Sequence, residues 1–287
     1  MAQGTNNPVP ASPESPIASH SLNPIYSALP KSLSGQSKTI RMLKIHPGLP
    51  HASIECSLSV VNLETLPRFE ALSYVWGNPH PPSTILCDGH PQSVTPNLAV
   101  ALRHLRLPHM IRNVWIDAIC VNQDNLKERS QQVRLMSEIY SLAWRVVVWL
   151  GEDDNSLATM AIETINWFVK DCCSTIRMEL DDIDLSSGSD SDEKIRNVYP
   201  MTEAMKLPAP IQTPDEWKAL EWFFERPWSS RIWVIQEVAF APALIYIGSY
   251  EIGWKEVAIA ATWDMLECET SSSTRARQYT FSSGGDI

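Results

Sequence analysis

Two short stretches hold side chains that could do chemistry. In the first, the apolar run Val114 to Ile119 carries one carboxylate, Asp117, and leads into Asn122, Gln123 and Asp124. A charge taken out of water without a partner costs several kcal/mol or changes its protonation state, so Asp117 requires either a structural partner or a ligand. In the second, Arg226 to Glu237 reads R-P-W-S-S-R-I-W-V-I-Q-E. If Ser230 to Val238 is helical, Trp233 and Glu237 stand one turn apart and share a face, which places an aromatic ring beside a carboxylate. The same residues also allow Trp233 to pack in the core while Glu237 pairs with Arg226, Arg231 or Arg129. Other chemistries find less support. Cys120 has no base in view except His104 or His109 and reads as a small buried residue. The chain contains no G-x-G-x-x-G, no P-loop, no G-x-S-x-G and no H-E-x-x-H. Its six cysteines include no C-x-x-C pair and no Cys/His cluster at zinc spacing, so no metal site is expected.

The elements that must position these groups follow from periodicity and punctuation. Ile40, Met42 and Ile45, then Ile54, Cys56 and Leu58, alternate as two strands, and Glu70 to Val75 is a third that ends in the turn Trp76-Gly77-Asn78-Pro79. Thr84 to Cys87 and Gln92 to Val94 flank Asp88-Gly89, a pairing suited to a tight hairpin because its second residue tolerates positive φ. Thr95-Pro96 opens a helix with one apolar stripe of Leu98, Ala101, Leu102 and Leu105. The Val114 run reads as a strand. After it, Asp124 or Asn125 caps a helix whose Val133, Met136, Ile139, Tyr140 and Ala143 fall at spacings of three and four, as expected for packing on a sheet. Val146 to Leu150 is continuous and β-branched, the pattern of a parallel strand covered on both faces. Helices are expected at Leu157 to Phe168, Pro214 to Phe224 and Trp254 to Leu266, and a strand at Leu244 to Gly248. Strands alternating with helices indicate an α/β domain. In open parallel sheets ligands bind outside the carboxyl ends of the strands, and Trp76-Gly77, Asn122-Gln123-Asp124 and Gly151-Glu152 all stand at such ends.

Composition bounds what such a domain could do. The simplest division is a Pro/Ser-rich leader over 1–37 that cannot order itself, one domain over 38–268 and a polar tail over 269–287. The acidic tract from 179 to about 197 reads as a disordered insert within the domain, and it carries much of the net charge of −10. An acidic balance without a basic stripe argues against nucleic-acid binding. There is no apolar run of the roughly 20 residues that span a bilayer and no basic start followed by an apolar stretch. The chain therefore reads as cytoplasmic, with reduced cysteines.

These blocks also carry a resemblance. Ala71-Leu72-Ser73-Tyr74-Val75-Trp76-Gly77, the run Trp115 to Gln123, the run Glu128 to Tyr140, Val146 to Gly151 and Arg231-Ile232-Trp233-Val234-Ile235-Gln236-Glu237 stand in the order of the motifs of the fungal heterokaryon incompatibility domain. The departures are slight, chiefly Val121 where isoleucine is usual. The resemblance implies non-self recognition after hyphal fusion, initiation of a programmed cell-death response, and protein partners or self-association. It also implies a distant similarity to Toll/interleukin-receptor domains, hence a flavodoxin-like, mainly parallel sheet flanked by helices with the hairpin added. Members often continue well past this domain, so a chain ending soon after Ser271 fits a short member, a truncated gene model or a fragment.

Some Toll/interleukin-receptor domains cleave NAD with a glutamate in a block of the type S-x-W-C-x-x-E. Here Ser230 to Glu237 is similar but differs in spacing by one residue and lacks the cysteine. On that likeness Glu237 is the candidate catalytic carboxylate, stabilising an oxocarbenium-like transition state. Tyr74, Trp76 or Trp233 would stack on a base, and Asp117, Asn122 and Gln123 would hold ribose hydroxyls, beside the Gly77 turn. NAD would then be a substrate and no cofactor is required. The competing expectation is a non-enzymatic signalling module in which Glu237 is locked in a salt bridge. Geometry separates the two: an enzyme needs Glu237, Asp117 and the Trp76-Gly77 turn on one concave pocket with Glu237 partly open.

Overall fold

The strands form where apolar side chains alternate, and one nine-stranded sheet gathers them. The computed structural model describes residues 23–27, 29–30, 38–183, 213–231, 237–238 and 241–261. In chain order the strands are β1 (Thr39–Ile45), β2 (Glu55–Asn62), β3 (Glu70–Tyr74), β4 (Ser83–Cys87), β5 (His90–Val94), β6 (Arg112–Trp115), β7 (Arg145–Trp149), β8 (Ala243–Ile247) and β9 (Tyr250–Gly253). The helices are α1 (Pro96–Leu105), α2 (Asp117–Cys120), α3 (Leu126–Leu142), α4 (Ala158–Ile176) and α5 (Pro214–Phe224), with another helical stretch over 254–261. No helix among the described residues is long and apolar enough to cross a membrane.

The strand order is β5-β4-β2-β1-β6-β3-β7-β8-β9. Four neighbouring strands, β6-β3-β7-β8, are parallel. Beyond them the sheet is not mainly parallel, which corrects the expectation. β1 lies antiparallel between β2 and β6, and both edges are antiparallel hairpins. The physical reason is connection length: β1 and β2 are joined by the short His46 to Ile54 link and β8 and β9 by Gly248-Ser249, neither long enough for a parallel crossover. The β8-β9 hairpin escapes periodicity because β9 has only four residues, although Gly248 at φ 54 is a residue suited to such a turn.

Local signals hold where they are chemical. Thr95 caps α1 by accepting from the Leu98 N–H, and the stripe Leu98, Ala101, Leu102 and Leu105 is buried. Asn125 caps α3 through the Glu128 N–H. Thr213 and Glu216 form a reciprocal capping box on α5. The Val114 run, by contrast, is not one strand. It leaves the sheet after Trp115, and Asp117 to Cys120 form a helical turn whose first carboxylate accepts the Ala118 N–H at 2.7 Å. The five-residue stripe expected on α3 is buried only toward its C-terminal end: Ile139, Tyr140 and Ala143 are enclosed, Met136 is half-buried and Val133 is 52% exposed. The first turns of α3 leave Val133 outward, while Glu128 and Gln132 on the same turns reach β1 through Arg41 and the Thr39 carbonyl.

Parts read from composition as unstructured also contribute. Within the leader, Ile25 is buried and the Tyr26 hydroxyl donates to the Ile119 carbonyl. At the start of the acidic tract Leu180–Asp182 make a 3-10 turn, Ile183 is buried, and Lys255 donates to the Leu180 and Asp181 carbonyls. The tract from 184 to 197, the tail from 269 and residues 1–22 lie outside the described residues.

Every side chain of β3 is buried, including two polar ones, Glu70 and Ser73. Glu70 sits at the start of the strand and receives Arg112 from β6, through both Nε and Nη2, and Arg145 from β7, with Nη2 at 2.5 Å. One carboxylate thus ties three adjacent parallel strands together. Removing it leaves Arg112, only 8% exposed, as an uncompensated buried cation. Glu70→Gln is expected to lower unfolding free energy by about 3 kcal/mol or more, measured by urea denaturation. Arg145→Met, which removes the more exposed partner, is expected to cost less; equal losses from both would contradict this ranking.

Candidate functional site

Two sites grow from the far end of the same strand. The first is buried. Ser73 is 1% exposed and donates to Glu237 Oε2, while its hydroxyl oxygen accepts from Trp228 Nε1 at 2.6 Å and from Arg231 Nη1 at 3.3 Å. Arg231 also grips Glu237 with both terminal nitrogens, each at 3.1 Å. Glu237 is itself 1% exposed. Its carboxylate is neutralised by a bidentate arginine and held by a serine, an arrangement suited to orienting chain segments far apart in sequence. It leaves no open face toward a substrate.

The second site is open. Trp76, just past β3, is 44% exposed and donates its indole N–H to Asp117 Oδ2 at 3.1 Å. Gln123 donates to the Asp117 backbone carbonyl at 2.8 Å. These three residues, with Arg129, Val133 and Met136 from α3, help to line a pocket of about 260 Å³. Glu237 does not line it. The two sites still sense each other. Burial pushes the Asp117 carboxyl above its ordinary range, the Glu237 charge adds to that, and the Trp76 and Ala118 N–H groups with the Arg231 charge oppose it.

The remaining expected residues fall around these two sites. Tyr74 is 2% exposed, its hydroxyl has no partner among the described residues, and burial holds it well above the ordinary tyrosine range, so its ring is a core side chain. Gly77 has φ 72 and Gly151 φ 110, the left-handed region that glycine enters at least cost. Asn122 shapes its loop, accepting from the Asp124 N–H, while the Asn122 N–H donates to Glu128. Cys120 is fully enclosed, and burial pushes its thiol to about 12, which removes it as a nucleophile. Trp233 lies outside the described residues. Ser73 and Trp228 were missed from sequence. The signal for Ser73 was of the same kind as for Asp117, a polar residue within an apolar run of the sequence.

The blocks that build both sites are those that comparison with known proteins picks out. The profile described as Heterokaryon incompatibility protein (HET) matches residues 69–237. The chain belongs to the heterokaryon incompatibility family. It is 32% identical over 253 residues to heterokaryon incompatibility protein 6, OR allele, of Neurospora crassa, an alignment covering 83% of this chain and 37% of that protein. The chain thus spans well under half the length of that curated relative. No solved structure matches it. The matched region of this heterokaryon incompatibility domain begins beside Glu70 and ends at Glu237, so it takes in both buried ion-pair clusters on β3. Among the described residues, no group of three or more His, Cys, Asp or Glu could hold a metal ion.

Asp117 offers a test by pH. Its carboxyl titrates higher in the folded chain than in the unfolded one, so the folded state binds that proton more tightly. The stability it contributes is fully present below the unfolded carboxylate range, near pH 4, and is lost as pH rises through the raised folded value. Asp117→Asn cannot ionise and keeps an acceptor for Trp76. The stability of Asp117→Asn relative to the parent chain is therefore expected to improve from pH 4 to pH 7 in urea melts. A flat difference would show that burial does not shift Asp117, and a reversed one that Asp117 is stabilised as a carboxylate.

Proposed function

We propose that this chain is a non-self recognition module of heterokaryon incompatibility, acting in the cytoplasm by self-association or by engaging a protein partner, and that its engagement initiates a cell-death response. Family membership and the relative's name support the incompatibility role. The observation that carries the molecular part is the state of Glu237: 1% exposed, clasped by both terminal nitrogens of Arg231 and bonded to Ser73. A carboxylate that must face a ribose and stabilise developing positive charge has to be reachable and not already neutralised. Here the Arg231–Glu237 pair serves as a lock between β3 and the segment that follows α5. The NAD-cleaving alternative would require that lock to open, swinging Glu237 toward the Trp76 pocket that it does not line.

A flavodoxin-like architecture belongs to the same proposal. Numbered by their order in the chain, the four parallel strands β3, β6, β7 and β8 lie in the spatial order 2-1-3-4, which supports a doubly wound origin. At the switch between β3 and β7, Asn97 donates to the Val75 carbonyl at 2.6 Å and accepts from Trp149 Nε1 at 2.9 Å. A side chain thus bridges the crevice where a doubly wound sheet would ordinarily receive its ligand.

The decisive experiment compares the purified full chain with Glu237→Gln. The expected result is no NAD turnover by either protein, a lower melting temperature for Glu237→Gln, and concentration-dependent self-association or capture of a defined partner by the parent chain. Turnover by the parent chain, reduced about 10²- to 10⁴-fold in a folded Glu237→Gln variant, would overturn the module reading and establish the enzyme.

A further inference from the structure

The pocket between Trp76 and α3 has a property that goes beyond recognition by a protein surface. Trp115 and Gln132 both line it, at 0% and 3% exposure. The Trp115 indole N–H and the Gln132 side-chain carbonyl oxygen are buried without a hydrogen-bond partner among the described residues. A donor and an acceptor left in this state each cost about 1–3 kcal/mol, and such groups in a folded protein call for an explanation. The fold does not need that oxygen, because Gln132 anchors itself through its amide nitrogen, which donates to the Thr39 carbonyl at 3.1 Å.

The charges around the pocket are unequal in availability. Arg41, Arg112, Arg145, Arg226 and Arg231 all have carboxylate partners. Arg129 lines the pocket, is exposed and forms no ion pair among the described residues. Asp117 is the opposite case, with one oxygen receiving the Trp76 N–H and the other the Ala118 N–H. Arg129 is therefore the one cation that lines the pocket among the described residues, while both Asp117 oxygens already accept N–H groups of the protein. Trp76 and Met136 supply an aromatic and an apolar wall.

We propose that this pocket binds a planar heteroaromatic ring with a hydrogen-bonding edge and an attached anion, of the class of nucleoside monophosphates. The ring packs against Trp76 and Met136. Its edge offers an acceptor to Trp115 Nε1 and a donor to Gln132 Oε1, and its phosphate meets Arg129. The volume of about 260 Å³ falls below the roughly 300–1,000 Å³ of sites for drug-sized ligands, so one base with its sugar phosphate suits it better than a dinucleotide. The site excludes Glu237 and is independent of whether that residue is a lock or a catalyst.

Calorimetric titration of the full chain with uridine and adenosine monophosphates tests this, beside uridine and inorganic phosphate alone. The variants are Arg129→Gln and Trp76→Leu, each checked for unchanged melting. At least one monophosphate is expected to bind, its nucleoside or phosphate alone more weakly by tenfold or more, and each variant to weaken binding by a similar factor. No binding of either monophosphate at millimolar concentration would overturn the proposal. So would binding unaffected by both substitutions, or phosphate alone binding as tightly as the nucleotide, which would reduce the site to an anion contact.

Discussion

A strand buried on all sides cannot hide a carboxylate and a hydroxyl unless other elements come to meet them. β3 is that strand, and its Glu70 and Ser73 organise the domain. At one end the Glu70 charge draws Arg112 and Arg145 from the two neighbouring parallel strands. At the other, Ser73 draws in Trp228, Arg231 and Glu237, more than 150 residues later in the chain. Burying these groups unpaired would cost several kcal/mol each. The same cost that opposes burial makes the partners obligatory, and a loose arrangement of the late segment is penalised.

This changes the meaning of the block ending in Glu237. A tryptophan followed by a glutamate resembles catalytic machinery when seen as a string. In space, Ser73 and a bidentate arginine occupy the carboxylate, and solvent reaches almost none of it. The open pocket lies elsewhere, where Trp76 leaves the sheet and faces the first turns of α3. Exposed Val133 and Arg129 stand on those turns and help to make the pocket wall. A buried ion-pair cluster and an open pocket thus lie close enough to share an electrostatic field through Asp117, Arg231 and Glu237.

Much of the fold was legible because its signals are local. Asp88-Gly89 makes its hairpin, Thr95 and Asn125 cap their helices, and Val146 to Leu150 contains a parallel strand, since each outcome depends on a few adjacent residues. The misreadings have a common cause. Asp117 interrupts an apolar run, but whether such a run continues as a strand or breaks into a helical turn depends on what accepts its backbone N–H groups. Val133 lies on the apolar period of α3, yet periodicity marks a face without saying how far the surface beneath it extends.

By itself the sequence determined the family, the α/β class, most element positions and the need for Asp117 to have partners, because motif identity, turn chemistry and the cost of burying charge are all properties of residues near one another in the chain. Tertiary structure alone decided that β1 inserts antiparallel beside the parallel strands, that Arg231 rather than Arg226 or Arg129 meets Glu237, and that Trp76, Asp117 and Gln123 share a pocket from which Glu237 is absent. Those outcomes depend on distances between segments far apart in sequence. Such distances are set by how the whole sheet packs, and no local pattern encodes them.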